Sequence, residues 1–309
     1  MAAARTTARR LLTPEALAKV SRLELLARGM VEGFVTGRHK SPYKGFSAEF
    51  AEHRQYVAGD DIGDLDWRVY GRSDRYYVKQ YMEETNLRAT ILLDASGSMK
   101  YAGDKSGRFE GRAISKFVYG QLLAASLSHL LIHQQDAVGL VTFDTAVRRY
   151  IPARSRPSHL NVLLESLDDC KTGGETGLAA VLHDVAERIR RRGLVIIISD
   201  FLDDAEEIVK ALHHFRFRKH EVLALHVLAR EELAFPFDSW SVFRDLEIDG
   251  RDVQIDGKDV RSEYMRQVQA FVRYLESGCG QMHADYVPMP TDIPFENALA
   301  GYLAGRHGR

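Results

Sequence analysis

Cysteine is scarce in this chain. Two in 309 residues, Cys170 and Cys279, make no disulfide framework, and neither stands in a CxxC or metal-type spacing. A reduced, cytosolic setting is the simpler account. Net charge is nearly absent as well: 42 Lys and Arg against 43 Asp and Glu leave a formal charge of -1. A nucleic-acid binder of this size is usually more basic, so no nucleic-acid partner is expected. Long apolar runs are missing. The longest nearly apolar stretch, around Leu122 to Ile132, is broken by Ser126, Ser128 and His129. It falls well short of the ~20 residues that span a bilayer. The opening MAAARTTARRLLTPE carries two basic patches without an apolar core of signal-peptide length; organelle import is the alternative use for those arginines. A soluble, cytoplasmic protein without membrane insertion is expected. With 24 glycines and 8 prolines among 45% hydrophobic and 28% charged residues, the composition is neither collagenous nor disordered. A chain of this length buries roughly 75% of its unfolded surface, enough for one large core with a small satellite.

Two regions differ in pattern. Thr13-Pro14-Glu15 reads as a capped helix start, and Leu23, Leu26, Met30 and Phe34 continue one apolar stripe, which predicts a helix over about 14–34. Gly37 to Gly45 is loop-like. Residues 46–85 have poor helical periodicity and scatter aromatics among charges, as in GDDIGDLDWRVYGRSDRYYVKQY. An irregular segment rich in Arg and Asp is expected, closing on a strand near Tyr76 to Tyr81. The division is then 1–85 for an N-terminal helix and appendage, and 86–309 for the main domain with a C-terminal extension.

From Arg88 onward strands and helices alternate. Apolar strands are expected at 89–94, 137–144, 194–200 and 221–228, with an edge strand near 147–151 and a last strand at 284–290. Helices are expected at 109–133, 158–168, 177–190, 205–213 and 258–277, and a terminal helix opens at Pro294. LEIDGRDVQID reads as a hairpin with Asp249-Gly250 at its turn. Near-continuous apolar strands between amphipathic helices indicate an α/β fold: a doubly wound, mostly parallel sheet covered on both faces.

Two of those strands end in aspartate. Ligands of open parallel sheets sit beyond the carboxyl ends of the strands, where Asp94 and Asp200 fall. Asp94 opens DASGS, so Asp94, Ser96 and Ser98 alternate in one loop, and Thr176 in GGETG precedes a helix. One threonine before a helix is most often a cap, and one aspartate after a strand often only turns the chain. Five such residues in this order are more specific. They form an oxygen cluster suited to a hard cation, Mg²⁺ or Mn²⁺. Two neighbouring carboxylates repel without a cation, which is itself a reason to expect one. Glu175 adds charge next to Thr176; it would support the metal ligands from behind, stand in for a partner's carboxylate, or face solvent.

DASGS, Thr176 and Asp200 resemble the metal-ion-dependent adhesion site of the von Willebrand factor A-like family. FAEHRQYVAGDDIGDLDWRVYGRSD, FPF at 235–237, DLEIDG at 245–250 and YVPMPTD are similar to an uncharacterised bacterial family associated with MoxR-type AAA ATPases. The resemblance implies a von Willebrand factor A-like fold with no established enzymatic activity. It also implies Mg²⁺ held at Asp94, Ser96, Ser98, Thr176 and Asp200. The implied partners are a MoxR-type ATPase, a protein presenting an acidic residue to the metal, or both, in the assembly or activation of other proteins.

Two other tracts were weighed. Asp60, Asp61, Asp64 and Asp66 lack the EF-hand order; alternating with Arg54, Arg68, Arg72 and Arg75 they read as an ion-pair network, with partner docking as the alternative. HHFRFRKH at 213–220 interleaves aromatic and basic residues but reads as a solvated turn between helix and strand. The competing functions are a Mg²⁺- or Mn²⁺-dependent hydrolase of phosphate esters with Asp94 as nucleophile, and a structural protein with a vestigial site. Against the hydrolase, Ser96 fills the third position of a DxD pattern, and neither GxSxG nor a P-loop is present.

Overall fold

The computed structural model describes residues 48–57, 65–83, 87–104, 106–109, 112–248, 250–295 and 297–299. The helix expected over 14–34, the loop after it and Asp60, Asp61 and Asp64 lie outside the described residues. The described residues divide into two compact units, one ending at Asn86 and one from Leu87 onward.

In the smaller unit, β1 (Ala48–Gln55), α1 (Trp67–Ser73) and β2 (Tyr77–Glu83) follow one another, and β1 pairs antiparallel with β2. The strand at Tyr77 lies where the sequence places it. Its partner was not legible, because AEFAEHRQ lacks an apolar alternation; backbone pairing with β2 supplies what its side chains do not. Asp66, the last of the clustered aspartates, has a structural role. Its carboxylate caps α1, accepting from the Arg68 N–H at 2.9 Å and the Val69 N–H at 3.3 Å.

The larger unit runs β3 (Arg88–Asp94), the two-residue strands β4 (Arg108–Phe109) and β5 (Arg112–Ala113), α2 (Lys116–His133), β6 (Ala137–Phe143), β7 (Val147–Arg154), α3 (His159–Asp169), α4 (Leu178–Arg188), β8 (Leu194–Ser199), α5 (Ala205–Phe217), β9 (Glu221–Leu228), α6 (Arg230–Ala234), β10 (Trp240–Arg244), β11 (Asp252–Asp256), α7 (Gly257–Gln281) and β12 (Asp285–Pro290). Six strands form one sheet in the order β12-β9-β8-β3-β6-β7. Every neighbouring pair is parallel except β6 with β7. The architecture is the doubly wound, mostly parallel α/β sheet that the sequence predicts.

Alternate residues of the central strands cover the two faces. Leu92, Val141, Val195, Ile197 and Ala224 pack with Leu182, Val185, Leu212, Phe215 and Leu275 of α4, α5 and α7. On the other face, Leu93 and Ile198 meet α2 so closely that a side chain at Gly120 would lie 2.9 Å from a Leu93 methyl. Each such buried aliphatic side chain contributes roughly 1.5–3 kcal/mol relative to exposure.

Two expectations need correction. α2 begins at Lys116 rather than near 109, because Arg108–Phe109 and Arg112–Ala113 pair as β4 and β5, and it is buried on almost all sides, with the sheet and α3 both packed on it. HHFRFRKH is not a solvated turn: α5 runs through Phe217, since Phe215 is buried and Arg216 ties the helix end to the carbonyls of Met282 and His220. Among the described residues no helix is long and apolar enough to cross a membrane.

The chain leaves β3 towards β6 and β7, then returns past β3 to β8 and moves outward to β9 and β12. The order reverses between β3 and β8, and the crevice beyond their carboxyl ends is the expected ligand position. Asp94 is the last residue of β3, and Asp200 directly follows β8.

Candidate metal centre

Three loops converge at that crevice. The first carries Asp94, Ser96 and Ser98, which are buried. One Asp94 oxygen accepts from the Ser96 N–H at 2.9 Å, and the other accepts from the Ser199 hydroxyl at 2.6 Å. The Ser96 and Ser98 hydroxyl oxygens are 3.0 Å apart. The second loop is bonded to the first: the Gly97 N–H donates to the Gly174 carbonyl at 2.9 Å, and the Gly173 N–H to the Ala95 carbonyl at 3.0 Å. Gly174 has φ +84, a conformation that disfavours any side chain. Asp200 enters from the third loop, with the Ser98 hydroxyl directed at its carboxylate.

Thr176 is the most exposed of the five. Its hydroxyl donates to Glu247 Oε1 at 2.6 Å, and its N–H donates to Glu247 Oε2 at 3.2 Å. Glu247 sits in the loop between β10 and β11. That loop lies over DASGS so closely that a Cβ at Gly97 would stand 2.4 Å from the Leu246 carbonyl oxygen and 3.1 Å from Glu247 Cγ. The structure brings Asp94, Ser96, Ser98 and Asp200 to one crevice, and Thr176 stands on the loop bonded to the first, with its hydroxyl on Glu247. Glu175, by contrast, is exposed, and the carboxylate that reaches Thr176 is Glu247.

The electrostatics depart from expectation. The repulsion between Asp94 and Asp200 was expected to need a metal, yet the site already holds a cation. Lys116, at the start of α2, is fully buried; its Nζ lies 2.7 Å from Asp200 Oδ2 and 2.5 Å from Glu232 Oε1. Burial alone would lower the Lys116 pKa, but attraction to Asp200 and Glu232 outweighs it and raises the value. Burial likewise works to raise Asp200, and Lys116 overrides it, holding Asp200 below the usual carboxylate range. Asp94 has no such partner: among the described residues no Lys, Arg or His side chain bonds to it. Burial, and next the charge of Asp200, push it up to about 7 against the bonds from Ser199 and Ser96. Beneath the site, His226 Nε2 lies 2.9 Å from the Asp200 carbonyl, and burial lowers its pKa to about 4, so it is neutral at pH 7.

These features set which residues suit a divalent cation. Among the described residues no group of three or more His, Cys, Asp or Glu is placed to hold a metal; the cluster is built on hydroxyls instead. Two hydroxyl oxygens 3.0 Å apart match the edge of an octahedron with bonds of about 2.1 Å. Asp94 is a buried carboxylate without a counter-charge of its own, the kind of group a cation relieves. Asp94, Ser96 and Ser98 fit a hard cation, while the Thr176 hydroxyl is turned to Glu247. Asp200 is shared with Lys116, which leaves only Oδ1 for a metal or its water.

Sequence reasoning missed Lys116, Ser199, Glu232 and Glu247. Lys116 had one signal, a cation inside the otherwise apolar entrance of a buried helix. The others had none beyond the DLEIDG segment that contains Glu247.

Comparisons with known proteins add no activity. The uncharacterized proteins Rv1480 of Mycobacterium tuberculosis (strain ATCC 25618 / H37Rv) and Mb1516 of Mycobacterium bovis are each 26% identical over 299 residues, spanning 95% of this chain and 90% of theirs. Among solved structures, the conserved hypothetical protein BatB of Bacteroides thetaiotaomicron aligns with 72% of this chain and 100% of its own, at 16% identity and TM-score 0.44. The SpRpn10 VWA domain aligns with 70% of this chain and 95% of its own, at 10% identity and TM-score 0.39. These superpositions are loose, and the fold rests on the strand order above. The model of a family described as "Protein of unknown function DUF58" matches residues 52–272, more than half of the chain, and the chain belongs to that family.

Proposed function

We propose that this chain is a metal-dependent protein-interaction module of the cytoplasm. Asp94, Ser96 and Ser98 are the first ligands of Mg²⁺ or Mn²⁺, and Thr176 and Asp200 contribute directly or through water. The cation then offers positive potential to an acidic residue of a partner protein. By its resemblance to a MoxR-associated family, the chain serves as an adaptor of a MoxR-type AAA ATPase in assembling or activating other proteins. No residue acts as a nucleophile.

The observation that carries this reading is the meeting of three loops at the topological switch point, with paired serine hydroxyls 3.0 Å apart beside an uncompensated buried Asp94. The hydrolase reading draws no support from the same geometry. The buried His226 is held by the Asp200 carbonyl and Tyr286 and lends no base to a nucleophile. The test is calorimetric titration of Mg²⁺ into the full chain and into Asp94→Ala, followed by co-purification from the native cell with and without a chelator. Saturable Mg²⁺ uptake lost in Asp94→Ala, and an ATPase partner lost with chelator, are the expected results. Equal uptake by both proteins, or none by either, overturns the metal step.

A further inference from the structure

Glu247 makes two bonds to Thr176, through Oε1 at 2.6 Å and Oε2 at 3.2 Å. It reaches the site from the tip of a two-stranded hairpin, β10 with β11, outside the main sheet. Its backbone lies over the middle of Ser96-Gly97-Ser98, with Glu247 Cα 3.0 Å from where a Gly97 Cβ would stand. Among the described residues no Lys, Arg or His bonds to Glu247, so its charge faces hydroxyl and amide donors alone. Its carboxylate thus stands at Thr176, beside the loop that carries Ser96 and Ser98.

The hairpin has few attachments to the rest of the unit. It is held to the main unit by one residue near its tip: Phe243 lies 5.7 Å from Phe235 and 5.1 Å from Phe237, and Phe235 lies 4.5 Å from Tyr264. Its outer side is solvent-exposed, with Trp240 73% and Val242 57% accessible. The tip bears on the site through the Glu247–Thr176 bonds and the contact at Gly97. Two-stranded hairpins with solvated faces belong to the low-stability end of a fold.

We infer that Glu247 is an internal carboxylate ligand: it occupies the place of a partner's acidic residue at the cation, so the hairpin Trp240–Asp256 caps the site and a partner binds by displacing it. This rests on the cation seat proposed above. A carboxylate that joins the coordination sphere raises metal affinity; loss of even a residue that only orients a ligand costs about 10- to 100-fold, so loss of the carboxylate costs at least about tenfold. The same carboxylate competes with one from outside, so its removal opens a position for a small carboxylate.

The test uses the full chain, Mg²⁺ and acetate. Wild type, Glu247→Gln and Glu247→Ala are titrated with Mg²⁺ by calorimetry, with and without acetate. Hydrogen exchange of residues 240–256 is followed in parallel; it reports the cap even where a variant alters folding elsewhere. The expected result is Mg²⁺ affinity at least about tenfold weaker in both variants, with acetate restoring affinity to Glu247→Ala and leaving wild type unchanged. Mg²⁺ is expected to slow exchange of the hairpin in wild type alone. Wild-type affinity in both variants, with hairpin exchange indifferent to Mg²⁺, overturns the internal ligand and leaves the cation seat standing. No Mg²⁺ uptake by wild type overturns both.

Discussion

Lys116 Nζ lies 2.7 Å from Asp200 Oδ2, and both side chains are 1% exposed. The ammonium reaches Glu232 Oε1 on its other side at 2.5 Å, while Glu232 Oε2 accepts from the Ala229 N–H at 2.7 Å. One lysine at the start of α2 thus joins the loop after β8 to the segment after β9. Desolvating three charges is costly, and the short contacts offset that cost only while all three are present.

Lys116→Met should therefore lower stability by about 3–5 kcal/mol, because it leaves Asp200 buried without its counter-charge. Urea unfolding at pH 7 measures this. Asp200→Asn added to Lys116→Met should recover part of the loss, a coupling expected of residues in contact. Strictly additive effects of the two substitutions would show that the contact carries no net interaction.

Asp136 gives a pH dependence with a defined sign. It is buried between α2 and β6; one oxygen accepts from the Leu87 N–H at 2.9 Å, while the other has no hydrogen-bond partner among the described residues. Burial pushes its pKa up to about 7, against the bond from Leu87. The folded state then binds a proton that the unfolded state has released, so the contribution of Asp136 falls as pH rises from about 4 to about 7. His226, lowered to about 4, tilts stability the other way as pH rises from about 4 to 6.5. The Asp136 share must be read as a difference between proteins. Asp136→Asn should gain stability relative to wild type across that window, on the order of 2 kcal/mol once solvent screening is allowed for. Parallel stability curves for the two proteins from pH 4 to 7 would contradict the assignment.

How much was legible in the sequence follows from where the signal resides. β3, β6, β8 and β9 are fully or almost fully buried runs, so ATILLD, AVGLVTFD, LVIIISD and EVLALHVL announced themselves without tertiary context. Asp94 and Asp200 were legible for the same reason, since each ends such a run. Gly250, with φ +83, was legible as a hairpin turn. Its first strand, Trp240–Arg244, was not, because WSVFR is mostly exposed and has few core neighbours to pattern it. Lys116 and Glu232 were opaque on different grounds: they are 116 residues apart in sequence, and neither charge has a meaning until the sheet brings both to Asp200. Glu247 is opaque likewise, since only the fold lays its loop over Gly97.

Gly97 tests that overlay directly. Its backbone is right-handed helical, φ -62 and ψ -39, a conformation any residue adopts, so glycine is not needed there for its dihedral freedom. An alanine would even gain about 0.4–1 kcal/mol by restricting the unfolded chain. What forbids it is contact: the added methyl would stand 2.4 Å from the Leu246 carbonyl oxygen, inside any tolerated separation, and that oxygen belongs to backbone. The hairpin tip is the softer of the two surfaces, because DASGS is bonded into the neighbouring loop through Gly97 and Gly173. Gly97→Ala should therefore lift the tip and leave the sheet in place. The expected signature is faster amide exchange at residues 245–248 and loss of protection at the Thr176 amide, which now bonds Glu247. The unfolding midpoint should move by the equivalent of no more than about 1 kcal/mol, since the core strands are untouched. Unchanged exchange at Thr176 would mean that the loop does not rest on Gly97; a loss of several kcal/mol would mean that DASGS, rather than the hairpin, gives way.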